Sequence, residues 1–255
     1  MDSFKGKTAF VTGGTSGIGR AAAVAFARAG TSVAVVGRRA AEGQKSLDLL
    51  RDVGGDGIII TVDLACEADV IRAIEQASAR FGQIDFAANC AGADINSDLV
   101  EYTEADIDTI FNVNVEGLFF CLKHQILAMK NKGGVIINVT SVAARKPDAG
   151  TSLYNASKGA AAMLTQSAAG KAGKHGIGII EVAPGPIDTP MLTGYLQREM
   201  AKGSAVTEKT VEAATLLGRI GRPEEVADAI MFLCSPSASY VTAASLTVGG
   251  GFALG

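Results

Sequence analysis

The chain reads as an α/β protein, one doubly wound parallel sheet of seven strands with helices on both faces. Two patterns predict this. Short β-branched runs alternate with longer helical patterns from end to end, as βαβ units require. Several runs are continuously apolar rather than alternating, among them Val-Ile-Ile-Asn-Val at 135–139, as strands become when helices cover both faces of their sheet. Composition agrees, since 255 residues that are 48% hydrophobic and 19% charged can bury a substantial core. Length allows one domain or two, but no linker breaks the alternation, so residues 1–255 are expected to form one domain.

Taken in order, strands are expected at Thr8–Thr12, Ser32–Val36, Gly57–Val62, Ile84–Ala88, Val135–Thr140, Gly178–Val182 and Ser245–Val248. The longest helical patterns run over Glu104–Lys130 and Ser152–Lys174, and a more polar, less regular one over Pro190–Leu217 reads as an insertion over the sheet edge. Ala229–Gly255 has no charged side chain and is long enough to cross a bilayer. Pro236 and Gly249–Gly251 interrupt it, so it reads as a buried helix end followed by a buried strand. No fixed-period self-similarity is present, which excludes a repeat architecture.

Twenty-three Lys plus Arg against 26 Asp plus Glu leave a net charge of −3 with no block of like charge, which argues against nucleic-acid partners. Cys66, Cys90, Cys121 and Cys234 form no C-x-x-C, and the only histidines are His124 and His175. No metal site or disulfide framework is expected, and the thiols read as small buried side chains in a reducing compartment. The N-terminal Met-Asp-Ser-Phe-Lys-Gly-Lys lacks the apolar core of a secretion signal, so a cytoplasmic setting without membrane attachment is expected.

After the first strand comes Thr12-Gly13-Gly14-Thr15-Ser16-Gly17-Ile18-Gly19, then an Ala-rich helical stretch. Strand, glycine turn and helix together form a Rossmann-like site, in which backbone N–H groups at a helix N-terminus face a pyrophosphate and glycines permit its close approach. Gly13, Thr15, Ser16, Gly17, Ile18 and Gly19 are therefore candidate cofactor ligands. A site for NAD usually has an acid at the end of the second strand to receive the ribose hydroxyls. Here Gly37 stands there, followed by Arg38 and Arg39. No carboxylate repels a 2′-phosphate and a guanidinium is present to pair with one, so NADP(H) is favoured over NAD(H), with Arg38 the sharper candidate.

Tyr154 and Lys158 lie four apart in a helical pattern and project from one face. A neighbouring ammonium lowers a phenol's pKa by roughly 1 to 3 units from about 10, which brings Tyr154 toward acid–base work near neutrality. Ser141, just past the fifth strand, is placed to hydrogen-bond the same substrate oxygen.

The glycine turn, Asn89-Cys90-Ala91-Gly92, Asn114 followed by Gly117, Ser141, the Tyr154–Lys158 pair, Pro184-Gly185 and Gly221-Arg222-Pro223-Glu224-Glu225 stand in one order along the chain. Together they resemble the short-chain dehydrogenase/reductase family, from Gly6-Lys7 to Gly250-Gly251. The resemblance implies a catalytic tetrad of Asn114, Ser141, Tyr154 and Lys158. It also implies hydride transfer between nicotinamide and a carbonyl or alcohol carbon, with Tyr154 moving the proton. Lys158 would bind the nicotinamide ribose and Asn114 would hold a water for proton relay. Asp63 and Leu64 would border the adenine, and Asn89, Ala91 and Gly92 would form the strand end beside the cofactor. Pro184, Gly185, Ile187 and Thr189 would embrace the nicotinamide end.

The substrate cleft would lie among residues 93–100, 142–153 and 185–217, with residues 186–217 as a lid bearing Met191, Leu192, Tyr195 and Leu196. Arg145 and Lys146 read as solvated loop residues. The partner implied is a small carbonyl or alcohol, and a homodimer or homotetramer is expected. The chain departs from the family pattern at Ala243, usually Gly, at Gly249, usually Asp, and at Ser16, basic in some NADP-dependent members. A nucleotide-binding regulator of the same fold is the alternative function. Epimerase or dehydratase readings lack room for an extra domain, and enoyl reductases of the related branch space Tyr and Lys seven apart.

Overall fold

The computed structural model describes residues 3–252, so the two N-terminal residues and the last three lie outside the described residues. The chain runs through β1 (Thr8–Thr12), α1 (Gly17–Arg28), β2 (Ser32–Gly37), α2 (Ala40–Asp52), β3 (Gly57–Thr61), α3 (Glu67–Phe81) and β4 (Phe86–Asn89). It continues through α4 (Glu104–Phe111), α5 (Gly117–Met129), β5 (Gly134–Val139), α6 (Ser152–Ala172) and β6 (Ile177–Pro184). The last elements are α7 (Pro190–Ala201), α8 (Glu208–Ala213), α9 (Pro223–Cys234) and β7 (Ser245–Val248).

All seven strands are parallel, in the order β3-β2-β1-β4-β5-β6-β7. The chain builds outward from β1 in one direction and then resumes on the other side at β4. A crevice opens at that reversal, outside the carboxyl ends of the strands.

Side chains alternate across the sheet, so each strand feeds two cores. Ala9, Val11, Val33, Val35, Ile180 and Val182 pack on one face against Phe26 of α1 and Val226 and Ile230 of α9. Phe4, Phe26 and Phe86 meet there with ring centroids 5.3–6.3 Å apart. Phe10, Ala34, Val36 and Ile179 face the other way, against Ile74 of α3, Met129 of α5 and Ala169 of α6.

Four sequence expectations change. The pattern over Glu104–Lys130 is two helices joined by a π turn at Asn112–Glu116, which inserts a residue and turns Asn114 inward. The strand at the C-terminal end is not buried. Ser245–Thr247 are exposed because β7 is the sheet edge, bonded only to β6. The helix before it does end buried, at Leu233 and Cys234. The 190–217 region lies over the crevice rather than the sheet edge, with Met191, Leu192 and Val211 lining it. Among the thiols, Cys121 and Cys234 are buried as expected, but Cys90 is partly buried and Cys66 is exposed, since Cys66 stands in the turn ahead of α3. Among the described residues no helix is long and apolar enough to cross a membrane.

Candidate active site

The glycine turn is built by close approach. Gly13 has a φ of +67°, and a Cβ there would lie 2.7 Å from the Ala91 nitrogen, because the loop leaving β4 runs against the turn. A Cβ on Gly19 would lie 2.4 Å from the Gly13 carbonyl oxygen. Both contacts are to backbone, so neither position accommodates a side chain. Ser16 is the N-cap of α1, yet its side chain makes no capping bond, leaving the amides of the first turn for an anion. Arg20 braces the turn from beneath, donating to the Thr15 carbonyl at 2.5 Å and to Glu42 at 2.9 Å.

At the end of β2 a Cβ on Gly37 would lie 2.9 Å from Thr15 Cγ2, so the position that elsewhere carries an acid has room for none without Thr15 shifting. Arg38 and Arg39 are exposed on the rim of the crevice. Arg39 folds back over the turn and donates to Ser16 Oγ at 2.7 Å. Asp63 also lines the crevice, and its carboxylate accepts from the Ala65 amide at 3.1 Å. That is an Asx turn ahead of α3, whose N-cap is Cys66, so Asp63 does not cap the helix.

At the other end, the parallel pairing of β5 with β4 and β6 brings Ser141 to the crevice floor. The first two turns of α6 supply Tyr154 and Lys158. Ser141 Oγ accepts from the Ala143 amide at 3.1 Å, which orients its hydroxyl, and it hydrogen-bonds Tyr154. Lys158 is only 5% exposed; its Nζ donates to the Val139 carbonyl at 3.3 Å and lies 5.6 Å from the Tyr154 ring centre.

These surroundings reverse the expected direction for the phenol. Burial drives Tyr154 up to about 12, opposed by its hydrogen bond with Ser141 and reinforced by the Asp94 carboxylate. Burial also drives Lys158 down to about 8, against the pull of Cys90 and Glu181. The ammonium lies 5.6 Å from the ring centre, and burial outweighs its attraction for a phenolate.

Asn114 does not line the crevice. Its Oδ1 accepts from the Ala93 amide at 2.8 Å, and its Nδ2 donates to the Ala93 carbonyl and to Ser157 Oγ, both at 2.9 Å. It clamps the loop after β4 to α6. Asn89 is equally internal, donating to Gln125 and Asn138 at 2.9 Å beneath the sheet end. Every other predicted catalytic or cofactor-binding residue, including Leu64, Gly92, Pro184, Gly185, Ile187 and Thr189, lines one cavity of about 690 Å³ that runs from the glycine turn to Tyr154.

Sequence reasoning missed the side of the site built by ion pairs. Arg198 of α7 donates to Asp94 at 2.6 Å, Asn96 to Glu199 at 2.9 Å, and Tyr195 to Asp148 at 3.2 Å. These tie α7 to the loops on the far side of the cavity, and burial raises the Asp94 carboxyl above its ordinary range in spite of Arg198. Leu196 does not reach the cavity, whereas Phe252 near the C-terminal end does. Arg145 is no solvated loop residue. It forks onto Glu181 at 3.0 and 2.6 Å. Partners 104 residues apart for Asp94 and 36 apart for Glu181 leave no local signal.

The family model that matches residues 13–253 is described as enoyl-(acyl carrier protein) reductase. The chain is 36% identical over 98% of its length to cis-4-hydroxycyclohexanecarboxylate dehydrogenase of Sinomonas cyclohexanicum, covering 98% of that protein. It matches the crystal structure of levodione reductase with a TM-score of 0.95 at 28% identity, over 98% of this chain and 99% of that one. The 3-ketoacyl-(acyl-carrier-protein) reductase of Brucella melitensis, complexed with NADH, matches with a TM-score of 0.88 at 30% identity over the same shares. A glycine cradle at one end of a cavity, a Ser–Tyr–Lys group at the other and these full-length likenesses agree: the chain belongs to the short-chain dehydrogenase/reductase family, oxidoreductases that act at CH–OH and C=O carbons.

Proposed function

We propose that the protein is an NADP(H)-dependent carbonyl reductase or alcohol dehydrogenase in which Tyr154 transfers the proton. The observation that carries this reading is the joining of Ser141, Tyr154 and Lys158 to the glycine cradle by one continuous cavity. Close backbone contacts that admit only glycine at 13 and 19 fit the cradle to a pyrophosphate. When bound, the nicotinamide supplies or accepts the hydride.

The chain's own residues do the rest. Ser141 holds the substrate oxygen and Tyr154 donates to it. With its value near 12, Tyr154 rests as a neutral phenol across the physiological range, the protonation state that reduction of a carbonyl needs. Lys158 keeps a positive charge beneath the phenol below about pH 8. Asn114 holds Ala93 and Ser157 in place, a positioning role beside the water relay that the family resemblance implies.

Val142, Met191, Leu192, Val211 and Phe252 give the substrate end an apolar wall, while Asp94 and Asp148 lie opposite. Arg198, paired with Asp94, and Lys146 line the same end, so its charges are mixed, and a ketone or secondary alcohol with an apolar body is the substrate class. The relative that acts on a hydroxycyclohexanecarboxylate supports a ring-sized substrate. Residues 186–217 serve as a lid over this end, held by the Arg198–Asp94 ion pair.

At the adenosine end Arg38 and Arg39 pair with a 2′-phosphate. Binding titrations test this. Arg38→Ala is expected to weaken NADPH binding by tenfold or more and NADH binding by less than about threefold, in line with loss of one charge-assisted pair. Equal weakening of both would remove the NADP(H) assignment.

A further inference from the structure

Glu181 and Arg145 lie outside the cavity and have no part in the mechanism above. Glu181 sits in β6, inside a parallel sheet, with its side chain fully buried. A carboxylate is almost never found in such a place unless paired. Its partners fix it closely. Arg145 Nη1 and Nη2 donate to its two oxygens at 3.0 and 2.6 Å, and Thr140 Oγ1 donates to Oε1 at 2.5 Å. Thr140 immediately precedes Ser141, and its backbone is also held, the Thr140 amide donating to the Val182 carbonyl at 2.9 Å. Val139, one residue earlier, is the carbonyl that receives Lys158 Nζ. The last three residues of this strand end thus join Glu181, Ser141 and Lys158 into one assembly.

We propose that Glu181, braced by Arg145, is a positioning residue for the reaction: it fixes the Thr140–Ser141 turn and supplies the buried negative charge that keeps Lys158 cationic. The inference rests on the roles given to Ser141 and Lys158 above. The pair does not cancel electrically at Lys158. Glu181 is wholly buried, whereas the Arg145 side chain that pairs with it is 45% exposed and its charge is weakened by water. Burial works to raise the Glu181 carboxyl, but hydrogen bonds from Arg145, Thr140 and Ser245 outweigh it, so Glu181 stays ionised. The titratable groups around Lys158 are Tyr154 on its own helix, Cys90 after β4 and Glu181 on β6. Burial pushes Cys90 up to about 12, so its thiol is neutral near pH 8 and Glu181 is the carboxylate that remains.

The test reads Lys158 without turnover. In the full chain labelled with carbon-13 at lysine Cε, with Lys158 assigned by its loss in Lys158→Ala, the titration midpoint is followed by NMR. Glu181→Gln keeps the shape and removes the charge, and it is expected to lower that midpoint by about half a unit or more. Glu181→Asp is expected to restore most of the shift. In pH–rate profiles the alkaline limb of kcat/KM moves down by the same amount in Glu181→Gln, on top of whatever the plateau loses as the Thr140–Ser141 turn slackens. Should Glu181→Gln not fold, Arg145→Gln/Glu181→Gln removes both charges and carries the same titration. A midpoint unchanged by loss of the charge overturns the proposal, as does a rate loss equal at every pH. Absence of turnover in wild type with a shifted midpoint would instead defeat the oxidoreductase mechanism and leave this pairing standing.

Discussion

Lys158 carries the clearest conflict between stability and use. Its folded value of about 8 lies below the ordinary 10.5, so between these two the unfolded chain binds more protons than the folded one. Stability therefore rises with pH across that window, and at neutral pH the buried ammonium is a burden on the fold. Lys158→Met is expected to raise the Tm at pH 7 by about 2–4 °C while abolishing turnover. A fall in Tm would mean that the bond to Val139 outweighs desolvation. The grouping of Ser141, Tyr154 and Lys158 in one cavity was legible because Tyr154 and Lys158 share a helix face and Ser141 follows a strand, whereas Asn114 entered only through the family resemblance. The charge states of Tyr154 and Lys158 were not legible, since the burial of Tyr154 and the Asp94 charge that acts on it depend on the folded chain and not on its local sequence. Arg145 was misread for the same reason: nothing near it in sequence reveals a carboxylate on β6.

The elements show where periodicity fails as a guide. Residues 104–130 keep one apolar rhythm, yet the π turn divides them, because seating the Asn114 amide on Ala93 and Ser157 requires an extra residue in that turn. Ala243, before β7, is the only non-glycine residue with positive φ among those described, at +54°, where the family pattern has glycine. A left-handed backbone with a Cβ is strained by about 1–2 kcal/mol, partly offset by the lower freedom of alanine in the unfolded chain. Ala243→Gly is accordingly expected to stabilise the fold by about 0.5–1 kcal/mol in a urea titration, with the slope m unchanged. Destabilisation would contradict strain at this turn. The departure was visible in the sequence, but its sign needed the dihedral angle.

At the scale of the molecule, the parallel pairing of the strands follows from the alternation of elements, and each of the seven expected strands overlaps one observed. What the pattern could not supply was position within the sheet. A short strand such as Ser245–Val248 looks the same at a centre or an edge until its neighbours are known. Likewise Pro190–Leu217 is recognisable as an insertion, but its seat over the crevice depends on the contacts of Arg198, Glu199 and Tyr195 with the loops that follow β4 and β5. The same crossing makes the site a property of the whole fold, with the cradle from β1 and the proton-transfer group from β5 and α6.

The most direct measurement follows consumption of reduced nicotinamide by wild type and Tyr154→Phe against a panel of cyclic and linear ketones, with NADPH affinity measured in parallel. Wild type is expected to turn over at least one of them, and Tyr154→Phe to lose about two to four orders of magnitude in kcat while its NADPH Kd stays within about twofold. A Tyr154→Phe enzyme that keeps the wild-type rate would contradict proton transfer by this phenol.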